Sequence, residues 1–290
     1  MKNINIKLIL KIIFSFSLLI FLFLKLDISV LLNLDKTVFI YIFIACLITC
    51  VSLFIMSYRY HLIVLYFLKK SINSIVIFKY YLIGMFFNIF LPGAIGGDAV
   101  RIKKLVSNHG VNYKNSAAVT LGERLTGLYG LLVLLSISFF FQNFPSGFNL
   151  QSYVPNVILK ASPFVLILML PILTLVLNRF KLKVTNLFAF KTVLVILLAQ
   201  MGDILIAYLF SNFLGLDIPF VSYIFIMPIV YIGTVLPISL GGLGVREGVF
   251  SGLLTLYGVD ASIAITISLL MYFTKIIVGL VGYVIYLKDK

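Results

Sequence analysis

The chain has 290 residues, of which 62% are hydrophobic and 11% are charged, and its formal net charge is +14. Soluble domains carry about 25% charged residues, so this composition excludes an ordinary soluble protein and favours membrane-spanning helices. The basic excess does not indicate a nucleic-acid partner, because Lys and Arg lie mostly between apolar runs, where they set membrane topology.

Eight apolar segments follow one another along the chain, and the hydrocarbon core of a bilayer takes about 20 residues of helix. They are residues 8–24, 37–57, 75–91, 116–140, 157–177, 192–213, 220–236 and 260–287. The first follows Lys2 and Lys7 in the manner of a signal peptide, but no small-residue cleavage site comes after it, so we expect a retained span. The remaining stretches are too short for a separate soluble domain.

The connections between these segments differ in charge, and the difference predicts topology. The basic ones contain Arg59, Lys69 and Lys70, then Arg101, Lys103, Lys104 and Lys114, and later Arg179, Lys181, Lys183 and Lys191. Residues 142–156 carry no charge, and residues 214–220 carry only Asp217. Basic connections face the cytoplasm. Because both neighbours of 75–91 are basic, we expect a broken hairpin that enters from the cytoplasm. Segment 220–236 would enter from outside, and both termini would be cytoplasmic.

Two breaks in the apolar pattern contain the same sequence motif. Leu91–Arg101 reads LPGAIGGDAVR and Leu236–Arg246 reads LPISLGGLGVR, so both follow L-P-x-x-x-G-G-x-x-V-R at an offset of 145 residues. The chain is therefore predicted to be one membrane domain, 1–290, built from repeat halves 1–145 and 146–290. Three crossings per half would invert the second half. The predicted fold is an all-α integral membrane protein with about six full transmembrane helices and two broken re-entrant hairpins.

The breaks themselves predict a binding site near the bilayer midplane. Their residues are Pro92, Gly93, Gly96 and Gly97 in the first half and Pro237, Gly241, Gly242 and Gly244 in the second. Proline removes a backbone donor and glycine permits close backbone approach. Irregular backbone in a membrane occurs where protein or a water-filled cavity satisfies it, and paired breaks in inverted halves mark binding sites in transporters. The alternative is that these residues only kink ordinary spans.

Charged residues beside the breaks are candidates for function, because ionisable groups are costly inside a membrane. Arg101 and Arg246 are expected in the first turn of a returning half-helix, where the helix dipole and a guanidinium together suit a phosphate. Two such places suit a phosphate-bearing lipid head group. Alternatively, each arginine pairs locally, Arg101 with Asp98 and Arg246 with Glu247.

Other charged residues give weaker signals. Glu123 and Arg124 are adjacent, so they cannot share a helix face, and Glu123 is expected near the cytoplasmic interface. Asp203 could pair with Lys275 across helices. This pair would either stabilise helix packing or couple the movement of a cation or proton to transport. No nucleophile–base set, metal-ligand spacing or nucleotide loop is apparent, so we expect no cofactor and no metal.

Three stretches together resemble the transmembrane region of lysylphosphatidylglycerol synthetases: Phe90–Arg101, Gly122–Gly127 and Leu236–Gly248. The resemblance covers nearly the whole chain, and the two glycine motifs are its most specific part. In two-part members, the membrane region is taken to move aminoacylated lipid across the bilayer, while a separate cytosolic domain makes that lipid. The resemblance implies lipid translocation here without identifying the lipid, which could also be a polyprenyl-phosphate sugar.

The expected function is therefore a flippase or scramblase of the cytoplasmic (inner) membrane, driven downhill or by ion coupling. Arg101 and Arg246 would hold phosphate, and the residues that balance these charges or meet a cationic head group would be Asp98, Glu123, Arg124 and Glu247. Expected partners are membrane lipids and a separate envelope-lipid synthesis enzyme. Three alternatives stay open: a membrane transferase with Asp98 or Glu123 as base, a non-catalytic scaffold, and ion-coupled transport of a small solute through Asp203 and Lys275.

Overall fold

The computed structural model describes residues 34–90, 95–141, 155–179, 184–235 and 244–288. Within these ranges the chain forms nine α-helices and no strand. They are α1 (Val38–Leu68), α2 (Ser74–Phe90), α3 (Ile95–His109), α4 (Tyr113–Phe141), α5 (Asn156–Arg179), α6 (Asn186–Phe213), α7 (Phe220–Val235), α8 (Val245–Leu256) and α9 (Ala261–Lys288). The predicted all-α fold is confirmed.

Four of the described helices, α1, α4, α6 and α9, are long and apolar enough to cross a membrane. Helices α2, α5 and α7 are also apolar but contain shorter apolar stretches. Large apolar side chains such as Phe39 and Leu168 lie on the outside, whereas Arg59 and Glu123 lie inside. This distribution is the one that lipid surroundings favour. The number of full crossings stays a prediction.

The helices differ from the predicted segments at two basic connections. Arg59 was expected in a loop after residue 57, but α1 continues to Leu68 and buries Arg59 within it. Arg101 lies in the amphipathic helix α3, which occupies the basic connection between segments 75–91 and 116–140. Both charges are tolerated inside the helical bundle because partners from other helices meet them there. The predicted first span, 8–24, lies outside the described residues.

Helices α2 and α3 flank the first break and pack against each other. A Cβ added to Gly97 would lie 2.5 Å from the carbonyl oxygen of Gly84, so only glycine permits this approach of the two backbones. The N–H of Gly97 donates to Oδ1 of Asn88 at 2.7 Å. An α2 side chain thus satisfies a donor at the start of α3.

Helices α7 and α8 flank the second break and also pack against each other. Gly244, with φ of 79°, precedes α8 in the left-handed region that favours glycine. Its N–H donates to Oε2 of Glu247 at 2.8 Å. Gly96 lies buried in the first turn of α3. The other break residues, Pro92, Gly93, Pro237, Gly241 and Gly242, lie outside the described residues. Re-entry from opposite faces stays a prediction.

Contacts between helices come in equivalent pairs: adding 145 to, or subtracting it from, the residue numbers of one contacting pair of helices gives another contacting pair. The contact between α2 and α9 is equivalent to that between α7 and α4. The contact between α3 and α4 is equivalent to that between α8 and α9, and the contact between α1 and α9 is equivalent to that between α6 and α4. Helices α1 and α6 are themselves equivalent under this shift of 145 residues, and they pack extensively against each other. This is the contact pattern that two equivalent halves would give. The boundary between 145 and 146 stays a prediction.

Basic side chains are concentrated at one end of the bundle. Helices α1 and α6 run antiparallel, since Tyr66 stacks on Phe188 at 3.9 Å and Tyr41 lies 4.7 Å from Phe213, measured between ring centroids. One end therefore carries Lys69, Lys70 and Lys191, and the other carries Asp35, Lys36 and Asp217. The positive-inside rule assigns the basic end to the cytoplasm, and this orientation is still a prediction.

Candidate functional site

A chain of ion pairs links helices α1, α3 and α4. Glu123 binds Nη2 of Arg59 at 3.0 Å and Nη1 of Arg101 at 2.7 Å. Arg101 also pairs with Asp98, and Asp98 pairs in turn with Arg124. We call these five residues, Arg59, Asp98, Arg101, Glu123 and Arg124, the first charge cluster.

The first charge cluster is buried except at one end. Arg59 and Glu123 are 2% and 4% exposed, whereas the side chain of Arg124 is 41% exposed. Among the described residues, three arginines and two carboxylates make up this cluster. Nε of Arg59 also has no hydrogen-bond partner among the described residues. Buried donors are normally paired, so the free Nε of Arg59 indicates a place that an anion could satisfy.

Tyrosine side chains surround the carboxylate and guanidinium groups of this cluster. The hydroxyl of Tyr81 donates to Glu123. The guanidinium carbon of Arg101 lies 4.3 Å from the ring centroid of Tyr81 and 5.0 Å from that of Tyr60. These cation–π contacts stabilise a buried guanidinium without adding negative charge. The rings therefore support Arg101 while leaving the net charge of the cluster unchanged.

The local geometry explains how adjacent residues join one network. Asp98 and Arg101 are one turn apart on α3, so together they reach both Glu123 and Arg124, which point in different directions from α4. Arg101 lies in the second turn of α3, not in the first turn as expected, because α3 begins at Ile95.

Glu123 is ten residues after Tyr113, the first residue of α4, and it lies buried among the helices. Arg59 and Arg101 hold its carboxylate there. Its position near the cytoplasmic interface stays a prediction.

The residues beside the second break form another group of charges. Arg246 pairs with Glu247, and its guanidinium carbon lies 4.8 Å from the ring centroid of Tyr272. Nε of Arg246 lacks a hydrogen-bond partner among the described residues. Arg246 lies in the first turn of α8, as expected.

Lys275 and Asp203 lie in the same neighbourhood as Arg246. Nζ of Lys275 is 3.1 Å from Oδ1 of Asp203 and donates to the hydroxyl of Tyr231 at 2.9 Å. Arg246 is close enough to Lys275 and Tyr231 to interact with both electrostatically. We call Asp203, Tyr231, Arg246, Glu247, Tyr272 and Lys275 the second charge cluster. Its two cations and two anions balance.

A comparison with known protein families shows to which family this chain belongs. The model of the family described as "Lysylphosphatidylglycerol synthase TM region" matches residues 8–282, which include both breaks and both charge clusters. The chain belongs to this family. The predicted resemblance is confirmed, and the protein is a multi-pass membrane protein of lipid metabolism or transport. Comparisons with curated proteins and with solved structures gave no significant match.

The structure of this lysylphosphatidylglycerol synthase TM-region protein adds residues that the sequence analysis missed. Arg59 was assigned to a loop, and Tyr60, Tyr81 and Tyr231 were assigned no role. A signal for Arg59 was present, because no glycine or proline interrupts the sequence between it and Leu68. A helix continuing through this stretch would have placed Arg59 inside the bundle.

Two glycines of α4, Gly127 and Gly130, allow α6 to approach α4 closely. A Cβ on Gly130 would lie 2.6 Å from Cγ2 of Ile196, so α4 approaches α6 closely there. Gln200 on α6 donates to the carbonyl of Gly127 on α4 at 3.2 Å. Among the described residues, no group of three or more His, Cys, Asp or Glu side chains could hold a metal.

Proposed function

We propose that the protein moves a phosphate-bearing lipid across the cytoplasmic membrane and that the first charge cluster holds the phosphate. The observation that carries this proposal is the pair of buried guanidiniums, Arg59 and Arg101, that share Glu123, with Nε of Arg59 lacking a hydrogen-bond partner among the described residues. Arginine presents a planar fork of donors that matches phosphate oxygens. The head group would belong to an aminoacyl-phospholipid or a polyprenyl-phosphate-linked sugar.

Binding proceeds by exchange of ion partners. Arg101 is shared between Glu123 and Asp98, so a phosphate can replace one carboxylate while the other keeps the guanidinium in place. Arg246, paired with Glu247, would take the phosphate in the second half. Asp98, Glu123, Arg124 and Glu247 would balance the arginines or meet a cationic head group. Exchange between the two inverted halves would expose the head group to either side of the membrane.

The second charge cluster would supply ion coupling in this scheme. Asp203 and Lys275 form a pair on α6 and α9, and Tyr231 on α7 contacts Lys275. Breaking and remaking this pair would couple a cation or proton to movement of the hairpin that contains α7. The protein would work with membrane lipids and receive its lipid from a separate envelope-lipid synthesis enzyme.

The transferase alternative gains no support from the geometry of the two candidate bases. Asp98 is held by Arg101 and Arg124, and Glu123 is held by Arg59 and Arg101. Arginine donors therefore occupy the carboxylate oxygens that a general base would use.

The proposal is tested by lipid transfer in proteoliposomes that contain a fluorescently labelled phosphatidylglycerol. Membrane-impermeant dithionite quenches only the outer leaflet, so the rate of further quenching reports transfer. We expect Arg101→Ala to lower the rate by about tenfold or more, as loss of hydrogen bonds to a charged group implies.

Lys103→Ala is the matched control, because Lys103 is an exposed cation on the same helix. It should keep the wild-type rate. Normal transfer by folded Arg101→Ala and Arg246→Ala proteins would show that neither arginine serves a phosphate, and absence of transfer by the wild type would refute the proposal for this lipid class.

A further inference from the structure

Gln200 on α6 lies between the two charge clusters, although it belongs to neither. It is three residues before Asp203, so the two side chains are neighbours on one face of α6. Towards the first charge cluster it reaches Gly127, beside which the guanidinium of Arg59 lies. We infer that Gln200 and Arg59 together bind one buried water molecule, which connects the first charge cluster to the second. The consequence drawn from it, coupling between the clusters, rests on the proposed function.

The carbonyl group of Gly127 fixes the orientation of the Gln200 amide. A carbonyl oxygen only accepts hydrogen bonds, and Nε2 of Gln200 donates to it at 3.2 Å. The opposite orientation would place two acceptors against each other, so Oε1 of Gln200 points away from this carbonyl. Oε1 is a buried acceptor with no hydrogen-bond partner among the described residues. Gln200 therefore presents an acceptor that needs a donor.

Arg59 presents the complementary group beside the same glycine. Its Nη1 and Nη2 lie 3.6 Å and 3.8 Å from the position that a Cβ of Gly127 would take, and they bind Thr126 and Glu123. Its Nε is a buried donor without a hydrogen-bond partner among the described residues, in a side chain that is 2% exposed. One buried donor and one buried acceptor thus border a residue that contributes no side chain to separate them.

The ligand that satisfies both atoms must accept from Arg59 and donate to Gln200. An anion accepts from Nε, but its lone pairs face those of Oε1 and leave the amide unsatisfied. A metal cation would bind Oε1 but would be repelled by the guanidinium. Water both donates and accepts, and a buried water makes about 2–4 hydrogen bonds to such groups. A phosphate oxygen that takes over Nε of Arg59 would displace this water and leave Oε1 of Gln200 facing a negative charge.

Displacement of the water links lipid binding to the second charge cluster. The amide of Gln200 turns away from the phosphate, and the same turn of α6 carries Asp203, which pairs with Lys275 at 3.1 Å. A Cβ on Gly202 would overlap Oγ of Ser52, so the backbones of α6 and α1 are in close contact at this level. The side chains are therefore the part of this region that can rearrange. Gln200 is a positioning residue, because it acts on Arg59 through the water.

Cryo-electron microscopy of the purified protein, at a resolution that shows ordered water, tests the water site directly. We expect isolated density between Nε of Arg59 and Oε1 of Gln200 in the wild type. Gln200→Met keeps the length of the side chain but removes both amide functions, and this density should then be lost. Absence of density in the wild type, or density that continues into a lipid, would overturn the inference.

The coupling is measured as the change that Asp203→Asn causes in the dissociation constant for fluorescently labelled phosphatidylglycerol in detergent. We expect a change of about fivefold when Gln200 is present and of less than about twofold in the Gln200→Met background. Gln200→Asn has a shorter side chain and serves if Gln200→Met fails to fold. Asn212→Leu is the matched control, because it removes an exposed amide from the same helix and should keep the fivefold effect.

An equal effect of Asp203→Asn with and without Gln200→Met, in folded proteins, would overturn the link between the clusters. The absence of any effect when Gln200 is present, or failure to bind the labelled lipid, would also overturn it. Transfer in proteoliposomes is scored separately. A water site and coupled binding without transfer would support this inference and refute the proposed transport function, whereas transfer without the water site would do the reverse.

Discussion

Arg101 and Arg246 occupy the same position in the repeated motif, yet they meet different surroundings. Arg101 shares two carboxylates with two other arginines and is covered by two tyrosine rings. Arg246 pairs with its neighbour Glu247 and lies over one ring, that of Tyr272. The repeat therefore preserves the break and the arginine, whereas the partners that decide the net charge differ between the halves.

The two halves of this protein therefore arrange their charged residues differently around the same repeated motif. In the first half, α1, α3 and α4 contribute three arginines that share two carboxylates. In the second half, α6 and α9 contribute a balanced pair, Asp203 and Lys275. Position 58, 145 residues before Asp203, is a tyrosine, and Gly130 stands where the second half has Lys275. A repeated backbone can thus support two unlike sites.

The largest expected effect is on the stability of the first charge cluster. Glu123→Ala leaves Arg59 and Arg101 without the carboxylate that they share, and breaking a buried pair in this way costs about 3–5 kcal/mol. Glu247→Ala removes the partner of Arg246 alone and one backbone hydrogen bond at Gly244, so we expect about 1–3 kcal/mol.

Unfolding of both variants in detergent, followed by circular dichroism, checks this order. Glu123→Gln retains an oxygen acceptor and should lie between wild type and Glu123→Ala. Equal destabilisation by Glu123→Ala and Glu247→Ala would mean that the two clusters contribute equally to the stability of the fold. That result would contradict the expected larger contribution of the first charge cluster.

A smaller effect is expected where the backbones of α2 and α3 meet. Gly97→Ala places a Cβ 2.5 Å from the carbonyl oxygen of Gly84, and overpacking of this kind costs about 1–3 kcal/mol. Gly248→Ala is the control in α8, because nothing lies within 4 Å of the added Cβ. The unfolding midpoint should fall for Gly97→Ala and hold or rise for Gly248→Ala. A wild-type midpoint for Gly97→Ala would show that the first hairpin does not depend on this approach.

The fold class and the helix order could be predicted from sequence because their signals are local. Apolar segments of membrane length and a motif repeated after 145 residues are visible along one chain. The predicted ends were less accurate, because hydropathy falls at a charged residue even where the helix continues. Arg59 shows this, since α1 extends to Leu68.

The first charge cluster could be predicted only in part, because ion pairs between helices are not local. The i,i+3 pairing of Asp98 with Arg101 follows from helix geometry and could be predicted from sequence. Glu123 is 64 positions from Arg59 and 22 from Arg101, so its role as their shared partner depends on how α1, α3 and α4 pack. Composition and periodicity contain no information on that packing.

The smallest expected effect concerns the balanced pair of the second charge cluster. A double-mutant cycle with Asp203→Asn and Lys275→Met should give a coupling energy of about 0.6 kcal/mol, the average for polar contacts between membrane helices. The side chains of Asp203 and Lys275 are 27% and 21% exposed, so water or lipid head groups weaken their attraction.

The same cycle with Arg101→Leu and Glu123→Leu should give a larger coupling, because both side chains are buried and share further partners. If the Asp203–Lys275 pair couples an ion to transport, Asp203→Asn should also abolish any dependence of lipid transfer on a proton gradient while the fold is retained. A coupling energy for Asp203 and Lys275 as large as that for Arg101 and Glu123 would make the second cluster a structural core, and gradient-dependent transfer in Asp203→Asn would remove its coupling role.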